Sequence, residues 1–151
     1  MVFLPYSVTL AFKLGVAMRN RVIRIALLGA ESTGKTSLSQ HITRALLAQG
    51  QVATNVPELL REWCQRHGRT PAAHEQSQIA VQHAERIFSI EEGWVIADTT
   101  PLMTAVYSDY VFQDFSLYKQ ALVLQAKFDL TLVMGLDVAW VPDGLQRDGE
   151  H

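Results

Sequence analysis

The sequence predicts an α/β protein with a doubly wound parallel sheet and helices on both of its faces. Short, mostly apolar segments alternate along the chain with longer segments whose apolar residues recur at helical spacing. The short segments lack the alternation of a half-exposed strand and are typical of parallel strands covered on both sides. With 151 residues, of which 48 % are hydrophobic and 19 % charged, the chain is long enough for one domain with its own core.

The first predicted unit is a strand, a glycine-rich loop and a helix. An apolar run over residues 22–28, interrupted only by Arg24, predicts the strand. The loop occupies residues 29–36, and Gly50 follows the end of the helix. The apolar face of this helix consists of Leu38, Ile42, Ala45 and Leu46.

A short strand and two helices are predicted next. Residues 51–56 form the strand, and Pro57 occupies the first position of a helix that ends before the loop at 68–71. A long helix then spans residues 72–90, because one continuous stripe runs along it. The stripe consists of Ile79, Ala80, His83, Ala84, Ile87 and Phe88. We expect His83 to be a packed core residue rather than a ligand.

The last predicted elements complete the alternation. Residues 94–98 form a buried strand that ends in an acid, after which Thr100 caps a helix with Pro101 at its first position. The inner face of that helix is predicted to be Leu102, Met103, Val106, Tyr107 and Tyr110. A further helix over 116–127 and a strand over 130–134 follow.

The loop at residues 29–36 matches every fixed position of the phosphate-binding pattern G-x-x-x-x-G-K-[S/T]. Its glycines let backbone N–H groups converge on an anion, and the next helix adds the partial positive charge of its N-terminus. We expect Lys35 to reach the β- and γ-phosphates of ATP and the Thr36 hydroxyl to bind Mg²⁺. The predicted nucleotide-binding residues are Gly29, Ala30, Glu31, Ser32, Thr33, Gly34, Lys35, Thr36 and Ser37. The alternative is a glycine-rich turn that binds nothing.

A second candidate lies at the end of the strand over residues 94–98. Asp98 follows four apolar residues, as the acid of a Walker B strand does, and we expect it at the same sheet edge as the phosphate-binding loop. In that arrangement the acid holds Mg²⁺ directly or through water. The alternative is a capping Asp that bonds the backbone of the turn before Pro101.

Glu58, Arg61 and Glu62 fall at the junction between a strand and a helix, also at the predicted functional edge. Glu58 is a candidate to orient or deprotonate a substrate hydroxyl, and Arg61 is a candidate to bind substrate or phosphate. The alternative is a pair of first-turn acids favoured by the helix dipole and an ordinary surface ion pair. Arg147 is a candidate to close over ATP from a mobile loop, with a solvated surface Arg as the alternative.

Several function classes are disfavoured by composition. A net charge of −2 gives no electrostatic footprint for nucleic acid or an anionic membrane. The phosphate-binding loop, Asp98 and the acidic junction at 58–62 instead favour a small-molecule substrate as partner. Cys64 is the single cysteine, which excludes an internal disulfide and favours a cytoplasmic location. His67, His74 and His83 lack the spacing of a metal site. The sequence makes no prediction of oligomeric state.

The N-terminal segment stands apart from the predicted unit. Residues 1–17 are apolar, lack the charged start of a secretory signal, and are too short and mixed for a membrane span. We interpret them as an extra segment, consistent with a mis-assigned start, and place the domain at residues 18–151.

Four separated segments together resemble one family. They are Gly29–Thr36, Glu58-Leu-Leu-Arg61-Glu62, Asp98-Thr-Thr with Thr104 and Tyr107, and Asp137-Val-Ala-Trp140-Val-Pro-Asp143-Gly144. In this order and spacing they resemble the P-loop kinase domain of NadR-type proteins, the ribosylnicotinamide kinase family that is often labelled an AAA domain. The likeness extends from about residue 22 to residue 151, and the segment at 140–144 is its most particular part.

The resemblance implies a kinase that uses ATP and Mg²⁺, with Gly34, Lys35, Thr36 and Asp98 at the nucleotide and metal. It implies that Glu58 and Arg61 contact the acceptor, a nucleoside-like molecule such as nicotinamide riboside, and that Arg147 belongs to a lid. The alternative is a regulatory nucleotide-binding ATPase module without small-molecule kinase activity. In the family the domain continues past this lid, so we expect a sheet that lacks the family's last strand.

Overall fold

The computed structural model describes residues 21–135, which contain four strands and five helices in the predicted alternation. The strands β1 to β4 are Ile23–Leu28, Ala53–Val56, Trp94–Asp98 and Leu130–Val133. The helices α1 to α5 are Lys35–Ala48, Leu59–His67, Ala73–Phe88, Pro101–Phe112 and Tyr118–Gln125. The predicted α/β class is therefore confirmed.

All strand pairings are parallel, and the order in the sheet is β2-β3-β1-β4. Leu27 lies beside Asp98 on β3, and Leu28 lies beside Val133 on β4. The carboxyl ends of the strands therefore meet along one edge, from which the loop after β1 and the junctions after β2 and β3 all emerge. Ligands of open parallel sheets bind at this edge.

Each face of the sheet has its own apolar cluster. On one face Ile25, Leu27 and Ile96 pack against α1 through Leu38, Ile42 and Leu46. On the other face Val56, Val95 and Ala97 pack against Ile87 of α3. Because successive side chains of a strand point to opposite faces, residues 95 and 97 serve one cluster and residue 96 the other. The prediction of helices on both faces is confirmed.

Arg24, which interrupts the apolar run of β1, is accommodated at the α3 side of the sheet. Its guanidinium donates to the backbone carbonyl of Ile90 at 3.0 Å and lies 5.1 Å from the ring centroid of Phe88. Its backbone N–H donates to the carboxylate of Asp129 at 2.9 Å, and that carboxylate also contacts Arg21. A charged residue is tolerated in this strand because both its backbone and its head group are bonded.

The predicted inner face of α4 is wrong. Tyr110 and Val106 are exposed, and the buried residues are Pro101, Thr104, Ala105 and Ser108. Helix α4 packs against both α3 and α5, and its buried side chains are all small. Small residues let helix backbones approach closely, so the larger apolar side chains are moved to the flanks and to the surface.

The other predictions for helices need smaller corrections. Helix α2 begins at Leu59 rather than at Pro57, because Glu58 keeps an extended backbone with ψ of 111° and flanks the helix. Ala45 of α1 is exposed and lies outside the group of α1 residues that pack against the sheet, which are Leu38, Ile42 and Leu46. The stripe of α3 is confirmed, and His83 is buried within it.

Between residues 21 and 135, no helix is long and apolar enough to cross a membrane.

Candidate nucleotide-binding site

The glycine-rich loop follows β1 directly and leads into α1. Gly29 has φ of +146°, and a Cβ added to it would lie 2.9 Å from the Cβ of Met134. Gly34, with φ of +84°, flanks the first turn of α1 in the left-handed region. Both positions therefore require glycine, the first for a close approach and the second for its backbone angle.

Lys35 is buried at the centre of this loop. Its ammonium donates to the backbone carbonyl of Gly29 at 2.9 Å and also to that of Ala30. The hydroxyl of Thr33 lies 3.5 Å from the same nitrogen and itself donates to the carbonyl of Ala30 at 2.8 Å. The charged end of Lys35 is thus enclosed by the loop that it would share with a phosphate chain.

Thr36 and Asp98 meet across the sheet edge. The Thr36 hydroxyl donates to Oδ2 of Asp98 at 2.6 Å, although the residues lie 62 positions apart in the sequence. The alternative reading of Asp98 as a cap of the next helix is not what the structure shows, because Thr100 has that function. The Oγ1 atom of Thr100 accepts from the backbone N–H of Leu102 at 3.3 Å.

The donor set at this contact fits a magnesium ion. Asp98 is 1 % exposed, and its Oδ1 atom is buried without a hydrogen-bond partner in the described part of the chain. A hydroxyl and a carboxylate supply the oxygen ligands that Mg²⁺ prefers, and protein sites for Mg²⁺ commonly use one or two such ligands with phosphates and water. Within residues 21–135, no group of three or more His, Cys, Asp or Glu side chains forms a self-sufficient metal site.

The junction after β2 reaches the same corner through Arg61. Its Nη2 atom lies 3.2 Å from Oε2 of Glu58, and both side chains are largely buried, with 22 % and 13 % exposure. Its Nη1 atom donates to the hydroxyl of Thr36 at 3.3 Å. Side chains from three elements therefore form one chain of contacts, in the order Glu58, Arg61, Thr36, Asp98.

Thr99 was named in the sequence analysis only as part of the Asp98-Thr-Thr segment, without a role of its own. It has φ of +68°, which is unusual for a β-branched residue, and it is 5 % exposed. Its backbone N–H donates to the carbonyl of Leu27 at 3.1 Å, so it continues the pairing of β3 with β1. Strained backbone of this kind is often found at functional sites. No local sequence signal identifies it, because Thr has no preference for this region.

Two buried groups, one on α2 and one on α3, have altered acidity. Burial, followed by the negative charge of Glu58, raises the pKa of the Cys64 thiol, so Cys64 is neutral and unsuited to nucleophilic chemistry. Burial, followed by the positive charge of Arg86, lowers the pKa of His83 to about 4. His83 is therefore an uncharged core residue at neutral pH.

The remaining predicted residues differ in how the structure places them. Glu31, Ser32 and Thr33 lie within the loop, where Thr33 is buried and the other two are half-buried, while Ser37 is exposed on the first turn of α1. Glu62 forms an ion pair with Arg86 of α3 at 2.7 Å, away from the loop. Arg147, the segment at 140–144 and the segment at 1–17 lie outside the described residues.

Comparison with known proteins identifies a family whose model matches most of this chain. A family model described as "AAA domain" matches residues 24–151, which is more than four-fifths of the chain. The matched region includes the glycine-rich loop, the Glu58 junction and Asp98. A search of curated proteins found no match.

Proposed function

The chain belongs to the AAA domain family, whose members are P-loop NTPases, and from this premise we propose that it is an ATP-dependent small-molecule kinase. The proposed reaction transfers the γ-phosphoryl group of ATP to a hydroxyl of a nucleoside-like acceptor, with nicotinamide riboside as the first candidate. Domains of this kind often catalyse nucleotide hydrolysis or phosphoryl transfer.

One observation carries the proposal: a carboxylate suited to proton transfer is connected to the phosphate-binding loop by direct contacts. Glu58 pairs with Arg61 at 3.2 Å, and Arg61 reaches Thr36 at 3.3 Å. A carboxylate in this position suits proton transfer from an acceptor hydroxyl. An ATPase module would use the same group to orient water, so the dependence of ADP formation on an acceptor separates the two functions.

The phosphate side of the site would work through positioning and charge. The backbone N–H groups of the loop and the ammonium of Lys35 would hold the β- and γ-phosphates. Thr36 and Asp98 would hold Mg²⁺, which when bound neutralises the charge that develops on the phosphate oxygens. Little covalent chemistry is required of the protein in such transfers, so placement accounts for most of the rate.

The acceptor side would supply the proton chemistry. The acceptor oxygen forms a bond to the γ-phosphorus while the bond from that phosphorus to the β–γ bridging oxygen breaks, and ADP leaves. The proton of the acceptor hydroxyl passes to the Glu58 carboxylate and then to water. Proton transfer of this kind contributes about 10²–10⁴ in rate. Arg61, beside Glu58, would bind the acceptor or the transferred phosphoryl group.

The experiment incubates the purified chain with ATP and Mg²⁺ and measures ADP formation with each of a panel of nucleosides, including nicotinamide riboside. We expect ADP formation that depends on one acceptor, with a phosphorylated acceptor identified by mass spectrometry. ADP formation that no acceptor changes would instead support the alternative, a regulatory ATPase module. Absence of both nucleotide binding and turnover would contradict both functions.

A matched pair of variants tests the role of Glu58. Glu58→Gln removes the proton acceptor and is expected to lower kcat for the acceptor reaction about 100-fold, with little change in the Kd for ADP. Glu62→Gln changes a carboxylate one turn away that pairs with Arg86, so it is expected to keep kcat within about threefold. Equal effects of the two changes on kcat would contradict the assignment.

A further inference from the structure

The hydroxyl of Thr36 already has a positive charge beside it. Its oxygen accepts a hydrogen bond from Nη1 of Arg61 at 3.3 Å while its proton goes to Oδ2 of Asp98 at 2.6 Å. The guanidinium therefore lies on the same oxygen that the proposed function assigns to a metal ion.

Two neighbouring charges explain why Arg61 lies there. Asp98 is buried at the far side of Thr36, and Glu58 lies 3.2 Å from Nη2 of Arg61. Buried carboxylates are costly unless a cation compensates them. The loop lysine, Lys35, directs hydrogen bonds to the carbonyls of Gly29 and Ala30. Arg61 supplies a further positive charge at this corner.

We propose that Arg61 is a built-in competitor of Mg²⁺: it binds the Thr36 hydroxyl when no metal nucleotide is present, and the metal nucleotide displaces it. This inference rests on the proposed nucleotide binding. The hydroxyl oxygen of Thr36 has a second lone pair, but a metal ion and a guanidinium on the same oxygen lie close enough to repel each other. Binding of the metal nucleotide therefore weakens the contact between Arg61 and Thr36.

Displacement has a consequence for the acceptor side. Arg61 also contacts Glu58, so movement of the guanidinium away from Thr36 changes the surroundings of the proposed proton acceptor. The metal nucleotide thereby prepares the acceptor site, and acceptor binding is coupled to the presence of the metal nucleotide. By linkage the acceptor then strengthens binding of the metal nucleotide by the same factor.

A second ion pair between helices provides a matched control. Arg86 of α3 pairs with Glu62 of α2 at 2.7 Å, with half-exposed side chains. It belongs to the same helical layer as the pair of Arg61 with Glu58, and its described contacts do not include the loop. Loss of an arginine charge from this part of the molecule can therefore be separated from loss of the charge at Thr36.

The test measures the Kd for ADP by calorimetry in excess Mg²⁺ and in excess EDTA, for the wild type, Arg61→Gln and Arg86→Gln. In Arg61→Gln the competitor is gone, so the ratio of the Kd in EDTA to the Kd in Mg²⁺ is expected to rise about tenfold. This is the size of one charge-assisted hydrogen bond. Arg86→Gln is expected to keep the wild-type ratio within about twofold.

A ratio in Arg61→Gln that stays within twofold of the wild type would overturn the inference while leaving the kinase proposal intact. A wild type that does not bind ADP in either buffer would overturn the proposed function and the inference together. If the Gln variant fails to fold, Arg61→Lys replaces it, because Lys keeps the charge on a shorter side chain with a single nitrogen. Its ratio of the Kd in EDTA to the Kd in Mg²⁺ is expected to lie between the wild-type ratio and the tenfold higher ratio expected for Arg61→Gln.

Discussion

The carboxyl edge of the sheet and its two covered faces differ in whether their buried groups have suitable neighbours. On the faces, Ile96 and Ile87 are fully buried among apolar neighbours. At the edge, Asp98 is equally buried but leaves Oδ1 without a partner in the described part of the chain, and Thr99 has φ of +68°. The faces lower the free energy of the fold, whereas the edge raises it.

This difference indicates that the sheet edge, where ligands would bind, lowers the free energy of unfolding. An unpaired buried carboxylate oxygen and a left-handed Thr each cost free energy, commonly 1–3 kcal/mol. The faces must offset that cost through burial. Changes at the edge are therefore expected to alter ligand binding and turnover with small effects on stability, and changes on the faces are expected to do the reverse.

The largest expected effect is at the centre of the loop. Lys35→Ala removes the ammonium from the phosphate-binding loop and is expected to lower kcat/KM for ATP about 1000-fold, or about 4 kcal/mol of transition-state stabilisation. The urea midpoint should fall only slightly, because the lost bonds go to loop carbonyls. Lys119→Ala, on the exposed surface of α5, is the control. A kcat/KM unchanged by Lys35→Ala would contradict any role of this residue in catalysis.

The next effect tests a face of the sheet. Ile96→Ala opens a cavity between β3 and α1 and is expected to lower the free energy of unfolding by about 3 kcal/mol. Where the variant is folded, its Kd for ADP should match that of the wild type. Urea denaturation with an unchanged slope measures the first quantity, and Val123→Ala, at a residue with 60 % exposure, is its control. If the free energy of ADP binding weakened by more than the free energy of unfolding fell, residues of the sheet faces would also determine binding, and the distinction between face and edge would be wrong.

The pH dependence of stability tests the helical layer that covers one face. His83 has a pKa of about 4 when folded and about 6.5 when unfolded, so the unfolded state binds its proton first as the pH falls. Stability is retained above pH 6.5 and is lost between about pH 6.5 and 4. The free energy of unfolding should fall by about 2 kcal/mol more between pH 7 and pH 5 in the wild type than in His83→Leu.

Thermal or urea unfolding at the two pH values makes this comparison. His41→Gln, on the exposed face of α1, should keep the wild-type slope. If His83→Leu has the same slope as the wild type, His83 does not set this pH dependence.

The smallest expected effect has the opposite sign. Thr99→Gly relieves a left-handed β-branched residue and is expected to raise the free energy of unfolding by about 1 kcal/mol. Thr54→Gly, in the exposed and regular part of β2, should lower it by a similar amount, because Gly weakens an ordinary strand. Urea midpoints of the two variants make the comparison. A loss of stability in both variants would show that the edge is not strained at Thr99.

The sequence predicted the loop, the strands and the core stripe of α3 for a common physical reason. The pattern of residues 29–36 is local, and the stripe from Ile79 to Phe88 follows helical periodicity along one element. Ala45, Val106 and Tyr110 were assigned to inner faces because they are apolar, and they are exposed. Apolar character alone does not say which side of a helix meets a neighbour when that neighbour requires small residues.

The sequence by itself determined the α/β class, the left-handed backbone at Gly34, and the position of Asp98 at the end of β3. These depend on interactions within one element or one turn. Only the tertiary structure decided that Arg61 reaches Thr36 and that Thr36 reaches Asp98, because the register of three parallel strands brings distant residues to one edge. It also decided the left-handed backbone of Thr99, which pairing with Leu27 and the start of α4 impose against the preference of the residue itself.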